Sequence, residues 1–274
     1  MEQRYATNPG QIPSFTTKDL RERYLVDEMF VPGAIRLTYT HHDRIVLGGV
    51  EPAGKVIELP GYPEIRSEYF LEHRELGIIN VGGTGTVTAD GELFTLTKGA
   101  CLYLGRGTRE IIFADAEGSA QFYLFSAPAH IAYPTVHIAA GEGTVRELGD
   151  QLTSNRRTLH QYIHEGGVQS CQIVMGVTEL HPGSMWNTMP AHTHDRRSEC
   201  YLYFDVPEEA RVVHFLGERS ETRHVVVADR QAVISPSWSL HSGVGTSAYS
   251  FVWAMAGENQ AFDDMDAAPV TTLE

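Results

Sequence analysis

The sequence predicts an all-β protein built as two β-barrel, jelly-roll-like halves with a short N-terminal helix. Three observations carry this. Short runs rich in Val, Ile, Leu, Thr, Phe and Tyr recur along the chain, each bounded by Gly, Asp or Pro. Such runs at regular spacing argue for sandwiches or barrels over a parallel sheet interleaved with helices. The second half also echoes the first. The length of 274 residues fits one large domain or two small ones, at roughly 150 residues per domain.

The helix comes first. Thr16 and Thr17 precede KDLRERYLVDEMF, in which Leu20, Tyr24, Leu25 and Met29 fall near helical spacing. The threonines can cap it, and Asp19 suits its first turn. Strand-like runs follow: AIRLTYT, LGIINVG, TVTA, ELFTLT and ACLYLG. Ala89–Asp90–Gly91 reads as a tight hairpin turn. Residues 127–150 are rich in Ala, Pro, Thr and Gly and read as a connection. It divides the chain into an N-terminal barrel, 1–150, and a C-terminal barrel, 151–274. The second half then gives QIVMGVTEL, ECYLYFDV, RVVHFLG, RHVVVAD, QAVIS and YSFVWAMAG. Four blocks align in order: RSEYFL with RSECYL, IINVGG with VVHFLG, KGACLYLGRGTRE with DRQAVISPSWSLHS, and QFYLFSAPA with YSFVWAMAG.

Composition narrows the function. Lys plus Arg number 21 and Asp plus Glu 35, a net charge of −14. That balance, with no basic run, argues against nucleic acid and anionic membranes as partners. No stretch reaches the roughly 18 to 20 apolar residues of a membrane helix. MEQRYATNPG lacks the pattern of a secretory signal. Cys101, Cys171 and Cys200 are odd in number and widely spaced, which implies no disulfide framework and a cytoplasmic setting. Thirteen histidines direct attention to metal binding.

PAHTHDRRSECYLYF contains His192, His194 and Glu199. Two residues apart on a strand, the imidazoles share a face. Glu199 lies at an odd offset, so a turn or bulge is expected within 195–198. ISPSWSLHSGVG then supplies His241 after Pro236. Three imidazoles and a carboxylate suit a divalent first-row metal, and open coordination positions would mark a catalytic site.

H-x-H-x4-E followed by P-x4-H resembles the two metal motifs of the cupin superfamily, with Trp238 where the second motif usually has Gly. Longer blocks, MWNTMPAHTH, TSNRRT, VISPSWSLHSGVG, GENQAFDDMD, HHDRIVLGG and FLEHRELGIINVGG, resemble the 4-deoxy-L-threo-5-hexosulose-uronate ketol-isomerases, also called 5-keto-4-deoxyuronate isomerases. The resemblance runs from about residue 20 to residue 266. It implies a bicupin fold, one zinc per subunit, a homohexamer and a keto-uronate substrate from pectin breakdown.

The aligned blocks place Glu68 over Glu199, Gly61 and Pro63 over His192 and His194, and Arg109 over His241. One metal per chain follows, in the second barrel. His41, His42, His73, His130 and His137 form no H-x-H pattern and are read as hydrogen-bonding residues. The implied reaction moves a proton from C2 to C1 of an α-hydroxyaldehyde and needs a general base. The candidates are Tyr201, Tyr203, His214 and His224, with Glu218 nearby. Arg156, Arg157, Arg196, Arg197 and Arg223 are candidates for the substrate carboxylate, which a guanidinium fork matches. The ligand types alone also fit a cupin dioxygenase or a non-catalytic sugar-binding cupin.

Overall fold

The helix spans Thr17–Tyr24 in the computed structural model, which describes residues 1–274 apart from the side chain of Pro190. Its start is a reciprocal cap. The Asp19 amide donates to Thr16 Oγ1 at 3.3 Å, and the Thr16 amide donates to Asp19 Oδ2 at 2.8 Å. Leu20 and Tyr24 form its buried face. The following Leu25–Val26 pairs with Val233 and Ala232, so the N-terminal segment is stitched to the C-terminal half.

Four sheets stack in layers. A four-stranded sheet covers one seven-stranded sheet, and a five-stranded sheet covers another. The two seven-stranded sheets lie back to back. Period-two alternation explains their near-continuous apolar strands. In Phe122–Pro128, Phe122 and Leu124 point into the first barrel, while Tyr123 and Phe125 point at the second. In Arg197–Phe204, Tyr201 and Tyr203 point into the second barrel, while Cys200 and Leu202 point at the first. Each such buried Leu or Phe contributes about 1.5–3 kcal/mol. The layers approach closely at Gly77, where a Cβ would lie 2.6 Å from Met175 Sδ. Buried Glu75 joins the halves by accepting from Tyr103 Oη and the amides of Cys171, Gln172 and Ile173.

Strand pairing departs from the expected boundary at residue 150. Thr144–Leu148 pairs with Arg157–Ile163 and so belongs to the second seven-stranded sheet. Its Val145 and Arg146 carry no buried face, so the sequence pattern there resembles a loop.

The repeat is present, but two aligned blocks are displaced. Residues 66–71 form turns, with Arg66 at φ 53°, whereas RSECYL lies in strand Arg197–Phe204. The topological counterpart of that strand is Arg74–Asn80. VVHFLG therefore corresponds to Thr84–Ala89 rather than IINVGG. Period-two patterns carry little register information, so a similar block slides by a whole strand.

The hairpins at Asp90–Gly91 and Arg219–Ser220 anchor a better alignment. Counting from them, Phe113 takes the place of His241. His241 faces His192 across the sheet, as Phe113 faces Ile57. Ile57 and Leu59 thus stand for His192 and His194, and inward Leu76 or Ile78 for Glu199. Gly61, Pro63, Glu68 and Arg109 are not the equivalents. Every ligand position of the first barrel is apolar. The Arg109 guanidinium instead lies 4.6 Å from the ring centre of Tyr69.

Candidate metal centre

Strand Trp186–Thr193 belongs to the five-stranded sheet, and its register shifts between Asn187 and His192. Within that irregularity Thr188 adopts φ 48°, a conformation disfavoured for a β-branched residue. After His194 the chain turns, closed by the Arg197 amide donating to the His194 carbonyl at 3.1 Å. It then enters the opposite sheet as Arg197–Phe204. This corner turns Glu199 back toward the histidines, as the odd offset requires. A Pro236–Ser239 turn, with a 2.9 Å amide-to-carbonyl bond, delivers His241 to the start of His241–Gly245.

One ligand atom from each of His192, His194, Glu199 and His241 lies within 4.8 Å of the others. His192 Nε2 is 3.1 Å from His194 Nε2. Glu199 Oε2 is 3.0 Å from both His194 Nε2 and His241 Nε2. Yet His241 Nε2 is buried and out of line for any hydrogen bond. Converging imidazole nitrogens beside a carboxylate fit a divalent cation. The outer nitrogens are held: His194 Nδ1 is 3.0 Å from the Asp264 carbonyl, and His241 Nδ1 is 3.2 Å from Ser235 Oγ. Such contacts orient ligand imidazoles. Burial alone would raise the Glu199 carboxyl, but attraction to His241 and the His194 hydrogen bond bring it well below the usual range. Burial pushes His241 down against the opposing pull of Glu199. Ligation needs a charged carboxylate and neutral imidazoles, and the lowered Glu199 carboxyl meets the first of these.

The cluster opens into a cavity of about 380 Å³. Trp253 and Phe262 supply apolar wall; Arg157, Thr178 and Tyr201 supply polar groups. Tyr201 Oη lies 3.5 Å from Thr188 Oγ1, and burial raises its phenol well above the ordinary range. That phenol is thereby held in its protonated form. Tyr203 and His214 do not line the cavity. They bond to each other at 2.7 Å, and burial lowers His214 to about 3. His224 is exposed on Glu221–Val227, away from the barrel interior, and Glu218 is also exposed. The strand pattern allowed either face, and Val225 occupies the inner one.

Of the arginine candidates, only Arg157 lines the cavity. Arg156 and Arg196 are exposed, and Arg223 pairs with Glu221. Arg197 is 1% exposed and clamps the loop over the cavity mouth. Its guanidinium donates to Asn259 Oδ1 and to the carbonyls of Ala261, Phe262 and Asp264. Hydrogen bonds to charged groups contribute about 1.5–3 kcal/mol each. Arg197→Met should therefore speed amide exchange across 259–264 by about a hundredfold through local opening. Unchanged exchange there would refute the clamp.

Sequence reasoning missed Phe262, Asp263 and Met265, which this loop brings to the cavity. GENQAFDDMD contains them, but no spacing rule links that block to the histidines.

A two-barrel, all-β chain carrying three imidazoles and a carboxylate inside one barrel is a cupin-type protein. The chain belongs to the KduI/IolB family, which it matches over residues 36–270. It is 65% identical over 278 residues to a 4-deoxy-L-threo-5-hexosulose-uronate ketol-isomerase of Kineococcus radiotolerans, covering 100% of both chains. It is 54% identical over 274 residues to the Bacillus pumilus protein of that name, again covering 100% of both. An IolB-like protein of Salmonella typhimurium shares the fold with a TM-score of 0.71 at 18% identity, covering 89% of this chain and 96% of that one. An oxalate decarboxylase of Lactobacillus farciminis does so with a TM-score of 0.53 at 12% identity, covering 79% and 78%.

Proposed function

We propose that this chain is a zinc-dependent ketol-isomerase that converts 4-deoxy-L-threo-5-hexosulose uronate to 3-deoxy-D-glycero-2,5-hexodiulosonate in pectin and uronate breakdown. The observation that carries this is full-length similarity to relatives bearing that name, at 65% and 54% identity. His192, His194, Glu199 and His241 would hold the cation, one per chain, in the C-terminal barrel; the N-terminal barrel lacks ligands. A bound divalent ion supplies charge stabilisation for adjacent substrate oxygens.

The chain's own groups divide the remaining work. Arg157 binds the substrate carboxylate at the cavity wall. Tyr201 Oη, held protonated by burial, donates a hydrogen bond to a substrate oxygen. Trp253 and Phe262 exclude water. Asp263 adds a carboxylate that is no part of the four-residue cluster. The three cysteines are unpaired, which suits the cytoplasm. No helix is long and apolar enough to cross a membrane. The family resemblance supports a homohexamer.

Incubating zinc-loaded protein with the keto-uronate in D2O, without oxygen, tests this reading. Side-chain proton transfer should place solvent deuterium at C1 of the product. Conversion without deuterium would replace proton transfer by a hydride shift and leave the isomerase standing. No conversion would sink the isomerase. Conversion only with O2 uptake would favour the dioxygenase reading, and binding without turnover a sugar-binding cupin.

A further inference from the structure

The HHDR turn of the first barrel is unusually constrained. Asp43 and Arg44 both adopt left-handed backbone, at φ 49° and 55°. Consecutive non-glycine residues in that region persist only where the surroundings fix them. Here the Arg44 carbonyl accepts from Arg74 Nη2 at 2.8 Å, and buried Arg74 is itself anchored on Ser126.

The turn reaches across to the second barrel at two places. Ser198 Oγ donates to Asp43 Oδ2 at 2.5 Å. Ser198 is 1% exposed and immediately precedes Glu199. Its side chain points away from the cavity, so the bond fixes the backbone from which Glu199 projects inward. The second connection runs through the N-terminal segment. The Thr7 amide donates to His42 Nε2 at 3.2 Å. The Thr7 carbonyl accepts from Trp238 Nε1 at 3.2 Å, and Thr7 Oγ1 meets Tyr24 Oη at 2.7 Å. Trp238 sits in the turn that delivers His241. This is the position at which the cupin-like motif departs from glycine, and the indole has a partner there. His192 is held differently, by the ladder from Ala191–Thr193 to Asp266–Ala268, and His194 by its Nδ1 contact with the Asp264 carbonyl.

We infer that the His41–Arg44 turn is a strut that positions two ligand segments of the second barrel: Asp43 through Ser198 for Glu199, and His42 through Thr7 and Trp238 for His241. This rests on the metal reading above. It assigns the ligand-free barrel a part in the site that needs no second metal. Asp43, Ser198, His42 and Trp238 are positioning residues, since none of them touches the cavity. Burial, with His41 adding to it, lowers His42 to about 4, which keeps Nε2 an acceptor at neutral pH.

Zinc affinity, read by chelator competition, tests the strut independently of turnover. Asp43→Ala and Ser198→Ala should each weaken zinc by about 10- to 100-fold, the usual cost of losing an outer contact of a metal site. The double variant should be no weaker than either single one, because they remove the same bond. Asp43→Asn, which can still accept from Ser198, should recover part of the loss. Trp238→Phe should weaken zinc through the other arm. Asp90→Ala is the control. Asp90 caps a remote hairpin of the same barrel by accepting from the Arg109 and Glu110 amides. It should lower the melting temperature and leave zinc affinity intact. If Asp43→Ala does not fold, Ser198→Ala and Asp43→Asn carry the test. Zinc affinity within twofold of wild type in Ser198→Ala and both Asp43 variants would overturn the strut. So would equal weakening by Asp90→Ala. A wild-type chain that binds no zinc would instead overturn the metal reading, and the strut with it.

Discussion

His194→Ala should leave a folded protein that no longer retains zinc and turns over at least about a thousandfold more slowly. The magnitude follows from the several kcal/mol a divalent ion contributes to stabilising developing charge, at 1.36 kcal/mol per tenfold in rate. His194 is central to the cluster. Its Nε2 lies within 3.1 Å of both His192 and Glu199. Its loss therefore opens the coordination set rather than trimming its edge. Glu199→Gln is the sharper variant, since it keeps volume and removes charge. Burial opposes the Glu199 carboxylate, and the histidines overcome that opposition. A neutral amide should thus cost zinc affinity and some of the stability that the charged carboxylate contributes at neutral pH. Metal content by elemental analysis, circular dichroism and initial rates measure the three consequences. Stoichiometric zinc in a His192→Ala, His194→Ala double variant would sink the ligand assignment. Two zinc ions in the wild-type chain would contradict the apolar set Ile57, Leu59 and Phe113 in the first barrel.

The parts of this centre that sequence reading reached share a short-range logic. H-x-H on a strand and the forced turn before Glu199 involve few residues and one rule each. The helix cap at Thr16 and Asp19 and the Asp90–Gly91 hairpin are equally local. The equivalence of the two barrels is not local. RSEYFL and RSECYL share letters, but one forms turns and the other a central strand. Only the pairing of Arg74–Asn80 with its neighbours reveals the true register. Arg197 illustrates the same limit. Its guanidinium fork makes it a candidate for the substrate carboxylate, while in the fold that fork is consumed by carbonyls some 64 residues away. Thr144–Leu148 falls in a stretch whose Ala, Pro, Thr and Gly content and weak periodicity point to a connection; pairing, not burial, makes it a strand. Contacts carried by partners distant in sequence, such as Asp43 with Ser198, leave no periodic trace.

Arg157→Ala should reduce kcat/KM for the keto-uronate by a factor between about thirty and several thousand, with zinc content unchanged. Arg157 stands in strand Arg157–Ile163 and is the only lysine or arginine among the residues lining the cavity. In a chain of net charge −14, such a cation inside an apolar-walled cavity is the group proposed to receive the substrate carboxylate. One side of the guanidinium is occupied, with Nη1 donating to the Asn155 carbonyl at 2.8 Å. Burial lowers its pKa, opposed by Tyr249 and Tyr201. An arginine so placed still carries its charge at neutral pH. Removing one partner of a buried, hydrogen-bonded charge pair costs about 2–5 kcal/mol, which sets the range of the expected loss. The loss should appear mainly in KM. The carboxylate keeps its charge throughout the reaction, so its binding is uniform between ground and transition states. Arg157→Lys should recover part of the loss, as a point charge without the fork. A substrate analogue with its carboxylate reduced to an alcohol supplies the other corner of a double-mutant cycle. Wild-type protein should handle it poorly, and Arg157→Ala no worse. If Arg157→Ala impaired that neutral analogue as severely as the acid, the guanidinium would be shaping the cavity rather than binding the carboxylate.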